Sequence, residues 1–430
     1  MKTILTSIAA SSLLAALAVA QPSPYTVTDL GTLNGGTFSY ASVVTNSGLI
    51  TGHASPPDGS LHAVLWEKGR IGDVGTPGLV RGANSEAFGV NERGQVSGEA
   101  ETSMVDPNGE DFCGFKAMGI PTAGTTCVPF LWQNGVMTRL PTLGGPNGSA
   151  GTINNAGEIV GYAENTKRDP ACGAPQMYQF KPVIWAKGKI QELPTFPGDL
   201  EGIALGNSDA GQVVGASGTC TAFNPNSQVY LVPSHALLWR NDKVTDLGNL
   251  GGSGTFFGNF ACAVNNQGQV VGQSDLRGDS TSHAFLWQNG VMTDLGTFAG
   301  DFASLGFGIN ERGLVVGASV DANFNFRAVL WDQGKPVDLN TLIPGNSGLY
   351  LQLAESINAR GEIIGFAQTS TGETHAFLAT PRDDSGNSSE NLAPAAPFAG
   401  SPVTLSESGR KLLQQRLRFG QLGAKLGGPR

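Results

Sequence analysis

One unit is written seven times along this chain, and self-similarity at such a period confines it to a repeat architecture. Successive copies are offset by 44 to 66 residues. Each carries a turn glycine, at Gly48, Gly94, Gly157, Gly211, Gly268, Gly313 and Gly361, and a second glycine four residues later, at Gly52, Gly98, Gly161, Gly215, Gly272, Gly317 and Gly365. Three residues before the turn glycine stands Asn91, Asn154, Asn265, Asn310 or Asn358, with Thr45 and Ser208 in the other two copies. These side chains fold back onto the backbone of a turn. Seven before it stands Ala41, Ala87, Ala150, Ala204, Ala261 or Ala354, with Gly306 as the exception.

A second landmark is a strand ending in tryptophan, as in His283-Ala284-Phe285-Leu286-Trp287; its copies end at Trp66, Trp132, Trp185, Trp239 and Trp331, and the seventh at Ala379. A dipeptide such as Asn289-Gly290 or Lys68-Gly69 follows, and then a run such as Val291-Met292-Thr293-Asp294-Leu295. Asn-Gly between apolar runs is the strongest short-range hairpin signal. Each unit therefore supplies four short strands in up-and-down order: Ala-to-Asn, Val-Val-Gly, Trp and Asp-Leu. Four-stranded units of this size predict an all-β chain, a seven-bladed β-propeller of antiparallel blades. A β-solenoid coil is shorter than this unit, and a chain of β-sandwiches is the other alternative.

The residue four before each Trp and the residue seven after it are 11 apart. Across a two-residue turn they are diagonal neighbours on one face of the hairpin. The pairs are His62 with Asp73, Lys181 with Glu192, His235 with Asp246, His283 with Asp294, and Arg327 with Asp338. In the second unit Val128 replaces the base and Arg139 the acid, as a direct contact predicts. A position that accepts His, Lys or Arg is a structural salt bridge, not a general base, and an acidic neighbour favours the charged imidazole. His375 has only Gly386 at that spacing, in a region beyond the repeats. The segment Tyr25-Thr26-Val27-Thr28-Asp29-Leu30 matches a fourth strand that has no Trp strand before it. It is expected to complete the last blade, closing the ring and placing Asp29 at His375.

The motif His283-Ala284-Phe285-Leu286-Trp287, echoed at His62-Ala63-Val64-Leu65-Trp66, His235-Ala236-Leu237-Leu238-Trp239 and His375-Ala376-Phe377-Leu378, resembles the extracellular HAF-repeat family. So does Asp246-Leu247-Gly248-Asn249-Leu250-Gly251-Gly252. The resemblance covers roughly residues 25 to 381 and implies a secreted or cell-surface repeat protein of propeller type. It carries over no catalytic residue, because the family is not defined by a catalytic motif. The second, third and sixth units depart from the motif at its His.

Outside the repeats, residues 1–20 read as a secretory signal peptide: Lys2, an apolar run through Leu13, Leu14, Leu17 and Val19, then Ala18-Val19-Ala20 before Gln21. The expected organisation is a propeller over 21–381, a flexible linker over 382–403, and a basic tail over 404–430. In that tail Ser408 to Phe419 can form a short helix, with Arg410, Lys411, Arg416 and Arg418 beside Leu412, Leu413 and Leu417. Such a segment suits peripheral attachment to an anionic surface; a frayed tail or a helix docked on the acidic propeller is the alternative. No later stretch reads as a transmembrane segment. A hydrophobic share of 40% argues against disorder, and a net charge of −9 argues against nucleic acid as a partner. The chain is expected to act as an extracellular monomer.

In a four-strand meander the Asn-to-Gly and Asn-Gly turns share one face and are uniformly short. Only the opposite face varies, with insertions at Glu99 to Cys127, Tyr162 to Phe180 and Ala216 to Ser234. Five cysteines in an exported chain predict two disulfides, Cys113 with Cys127 and Cys172 with Cys220, leaving Cys262 as a small core residue in a first strand. Asp106-Pro107-Asn108-Gly109-Glu110-Asp111 spaces oxygen ligands as a calcium loop does but lacks the full twelve-residue pattern with its terminal Glu, so it is expected to be a solvated acidic turn rather than a calcium site. No zinc spacing or phosphate-binding loop is present, and no cofactor is expected. Variable loops on a rigid scaffold are where recognition sits. The leading expectation is a noncatalytic propeller that binds or scaffolds an extracellular glycan, polymer or protein through the long-loop face of blades two to four. The alternative is a polysaccharide-active hydrolase or lyase, which needs carboxylates or a His that break the repeat on that face. His53, the one histidine outside the salt-bridge position, is expected at the exposed start of such a loop. A third reading is a self-assembling structural element of the cell surface.

Overall fold

The computed structural model describes residues 24–75, 84–116, 118–172, 175–220, 231–241, 243–382, 404–407 and 409–410. The sequence-predicted signal peptide, the linker from 383 and the tail from 411 lie outside the described residues. The rest forms seven four-stranded antiparallel sheets, the blades of a β-propeller. Blade one runs Ser39–Val44, Ile50–Ala54, His62–Glu67 and Arg70–Asp73. Blade seven runs Leu349–Ile357, Ile363–Thr369 and Thr374–Pro381, and its fourth strand is Tyr25–Asp29 from the other end of the chain. That pairing runs from Tyr25 opposite Pro381 to Asp29 opposite Phe377. The closure expected from the orphan N-terminal strand is therefore the closure observed.

The repeated residues now have reasons. The outer hairpins turn with both central residues in the left-handed region, as at Asn289 (φ 52°) and Gly290 (φ 85°), which matches the twist of the flanking strands. The first strand bulges just after its alanine, between Ala261 and Ala263 in blade five. The bulge drives the preceding carbonyl toward the second glycine: a Cβ on Gly272 would stand 1.8 Å from the Phe260 oxygen, and one on Gly52 would stand 1.9 Å from that of Tyr40. Glycine is required there by backbone approach.

Blades are joined by polar bonds as well as packing. Trp185 and Trp239 donate their indole N–H to the carbonyls of Pro141 and Pro194 in the segment leaving the preceding blade, at 2.8 and 2.6 Å. Trp66 does the same to Leu30 at 2.9 Å, fixing the closing strand to blade one. The repeated asparagines work twice. Oδ1 of Asn310 accepts the amides of Arg312 and Leu314 in its own turn, while Nδ2 donates to Asn358 O in the next blade at 3.0 Å. The interblade bond recurs from Asn91 to Asn154, Asn154 to Ser208, Asn265 to Asn310, and Asn358 to Thr45.

Candidate binding face

The salt-bridge layer on the blade flanks follows the 11-residue spacing only in part. His62 Nδ1 meets Asp73 at 2.9 Å, His283 meets Asp294 at 2.9 Å and His375 meets Asp29 at 2.8 Å. Hydrogen bonding to Asp29 raises His375 above its ordinary pKa against the effect of burial, and Asp73 does the same for His62. Burial pushes Asp29 upward, but bonds from His375 and the Gly31 amide outweigh it and hold the carboxyl low.

Two other pairs require correction, those of His235 and Lys181, and in a third Arg327 reaches its expected acid but bonds a nearer one. His235 turns from Asp246 to Asp199, 2.8 Å away in the segment entering its blade, and stacks on Phe196. Asp246 instead accepts the Gly248 amide. Arg327 bonds Asp301 at 2.7 Å, with Asp338 at 3.9 Å, and Asp338 takes its hydrogen bonds from Asn340. Lys181 donates to the Leu200 carbonyl and not to Glu192. The signal for His235 and Arg327 stands in the entering segments, Gly198-Asp199 and Gly300-Asp301. There the acid also accepts a serine of the second strand, Ser217 or Ser319, at 2.5 and 2.6 Å.

On the long-loop face the second and third strands of blades two and three extend into the insertions, over Val96–Val105 with Thr125–Gln133 and Ile159–Arg168 with Tyr178–Ala186. Cys113 and Cys127 form a disulfide, as do Cys172 and Cys220, the latter joining adjacent insertions. The insertions also fold inward: Phe112, Phe115 and Met118 are buried against Tyr162, Phe180 and Phe260. Outward they present Met104 (53% exposed) and Val105 (75%), with the Arg168 guanidinium over the Tyr178 ring at 6.0 Å.

Beneath them lie carboxyls that the sequence reading left in solvent or passed over. Asp106 and Glu110, expected in a solvated turn or calcium loop, are buried, and both accept from Asn147 Nδ2. Glu110 faces Glu164. Burial, reinforced by the Glu110 charge, raises Glu164 to about 10, so this pair retains a proton at neutral pH. Burial likewise raises Glu201 to about 9, against the opposing Phe180 amide and Lys181. Glu101 bonds Asn84 and Thr122, and Asp275 accepts the amides of Phe256, Phe257 and Gly258. A legible signal existed: Glu101, Glu164 and Asp275 each follow the second glycine by three residues, and Asn84, Asn147 and Asn259 precede the matching first strands.

His53 is not on an exposed loop. It is 1% exposed within a strand, stacked on Tyr40 and 3.5 Å from buried Glu86. Cys262 lies outside both disulfides and is half-buried rather than core; it lines a cavity of about 280 Å³ inside the ring together with Tyr40, Phe88, Tyr162, Phe260 and Phe307. The start of the tail docks on the propeller. Leu405 is buried among Tyr40, Phe307 and Phe366, Ser406 bonds Thr374 at 2.6 Å, and a helical turn begins at Glu407. No helix of the described residues is long and apolar enough to cross a membrane.

No known family profile and no curated protein matches this chain. Solved structures resemble it at low identity. A fucose-binding lectin of Aleuria aurantia, solved as its N224Q mutant with Fucα1-6GlcNAc, is 11% identical, with a TM-score of 0.33 over 88% of this chain and 100% of the lectin. A gluconolactonase of Xanthomonas campestris is 10% identical, with a TM-score of 0.35 over 84% and 97% of the two chains. An acylaminoacyl peptidase of Pyrococcus horikoshii is 11% identical, with a TM-score of 0.42 over 81% of this chain and 52% of the peptidase, so the chain spans about half of that enzyme.

Proposed function

We propose that this protein is a secreted, noncatalytic propeller of HAF-repeat type that binds or scaffolds an extracellular glycan, polymer or protein through the insertion face of blades two to four. The observation that carries the reading is where the cross-links fall. Both disulfides lie in that sector, and they brace the hairpins that display Met104, Val105, Arg168 and Tyr178. A braced surface loses little conformational entropy when a ligand docks, so its contacts are spent on affinity. A half-buried aromatic beneath an exposed guanidinium suits a saccharide face or a polar peptide. The alternative, a polysaccharide-active hydrolase or lyase, draws on Glu110, Glu164, Asp169 and Glu201, the carboxyls gathered on this face. Their burial beneath the insertions favours a structural role, since a glycosidic acid and base must flank an accessible bond. The test is a glycan-array and peptide-library screen with the purified full chain. Saturable binding that weakens in Arg168→Ala/Tyr178→Ala supports the reading, and no saturable binding anywhere overturns it.

A further inference from the structure

Asp169, Cys172, Glu201 and Cys220 converge beneath the insertions of blades three and four. One ligand atom from each lies within 4.8 Å of the other three, and all four residues are buried. The cysteines are joined as a disulfide with Cα atoms 4.9 Å apart, and Cys172 Sγ lies 4.0 Å from Glu201 Oε1. That leaves two carboxyls side by side out of water, Asp169 at 3% and Glu201 at 0% exposure. Asp169 Oδ1 accepts the Ala171 amide, but its buried Oδ2 receives no hydrogen bond. Lys181 is the cation whose charge reaches Glu201, and its ammonium is engaged by the Leu200 carbonyl. Buried carboxyls without a close counter-charge are costly, and a disulfide offers them nothing in return.

We propose that these four residues form a second state: when the Cys172–Cys220 bond is reduced, they hold a four-coordinate divalent cation of the zinc type through two thiolates and two carboxylates. The donor set suits that ion, which takes tetrahedral sulfur and carboxylate ligands at about 2.0 to 2.3 Å. A dithiol reductant supplies two electrons and two protons to the S–S bond and is itself left as a disulfide. The cation then displaces both thiol protons, which pass to solvent together with any proton that burial holds on Glu201. Cys113, Cys127 and Glu99 also cluster, but offer three ligands where this site offers four. They serve as an internal control.

The test titrates cobalt(II), a spectroscopic stand-in for zinc, into the full chain before and after anaerobic reduction with a phosphine. The expected result is one equivalent bound only after reduction, with a thiolate-to-metal charge-transfer absorption that zinc abolishes. Cys172→Ser and Cys220→Ser remove the absorption, Cys113→Ser does not, and Glu201→Gln, which keeps both thiols, weakens binding about tenfold or more. If a cysteine variant fails to fold, alkylation mapping of the reduced wild type still decides. Zinc must shield Cys172 and Cys220 and leave Cys262 reactive. A folded reduced chain without the absorption, an absorption unchanged in Cys172→Ser or Glu201→Gln, or equal alkylation with and without zinc overturns the proposal.

Discussion

On the short-turn face, Asn91, Asn154, Asn265, Asn310 and Asn358 make the same interblade bond in five places. On the long-loop face, Glu101, Glu164, Glu201 and Asp275 are buried at related places but held by different partners: Asn84 with Thr122, Gln176 with the Asn147 amide, the Phe180 amide, and three successive amides. The first face is one solution repeated. The second is a set of local solutions, each built from its own insertion. Repetition gives the ring its rigidity, and departure from it gives one sector a distinct surface.

Breaking the ring should have the largest effect. Deleting Tyr25–Asp29 strips the outer edge of blade seven, and loss of the strand pairing and Tyr25 burial is expected to cost on the order of 5 kcal/mol in denaturant unfolding. An equal midpoint for the truncated chain would show that closure does not hold the fold. Next is Gly272→Ala, where the Phe260 carbonyl leaves no room; about 3 kcal/mol or more is expected. Gly290→Ala, at an open turn with φ 85°, should cost only about 1 kcal/mol. Equal costs would contradict the bulge explanation.

The pH dependence separates the faces further. Glu164 is raised from 4.5 to about 10, so the folded state binds more protons than the unfolded state between those values. Its contribution is fully present below about pH 4.5 and is lost as pH rises through 10. Glu164→Gln should therefore flatten the fall in stability across neutral and alkaline pH, read as melting temperature against pH. The His375–Asp29 pair behaves oppositely at its acid end. Asp29 is lowered from 3.8, so its contribution is present above that value and lost as pH falls through the depressed pKa. His375 is raised from 6.5, and its share is lost as pH rises through the raised value. The smallest expected effect is Asn310→Ala, which removes one interblade bond and part of one turn, about 1 kcal/mol in thermal or denaturant unfolding.

The same contrast explains what the sequence made legible. Turn glycines, bulge glycines, Trp strands and the orphan strand ending at Asp29 obey backbone geometry that recurs in every blade, so the repeat alone places them. Asn310 was read as a turn residue because that half of its work is local, whereas the bond to Asn358 appears only once neighbouring blades are side by side. His235 and Arg327 had two acids in reach, and the 11-residue spacing does not reveal that the segments at Asp199 and Asp301 fold back to meet them. The burial of Glu110 and Glu164 is not legible for the deeper reason that charged residues in an insertion look solvated until the insertion is seen to cover its own carboxyls. The two disulfide pairs were legible because their cysteines occupy the same or corresponding loops.

The central claim is that recognition belongs to the face that breaks the repeat. The most direct measurement compares three full-length proteins on one glycan and peptide array: wild type, Arg168→Ala/Tyr178→Ala on the insertion face, and Asn155→Ala in the Asn154–Gly157 turn of the short-turn face, where Asn155 Nδ2 donates to Asp209 at 2.8 Å. The account predicts saturable binding by wild type and Asn155→Ala, with loss confined to the insertion-face variant. Loss confined to Asn155→Ala, with Arg168→Ala/Tyr178→Ala binding as wild type does, would contradict it.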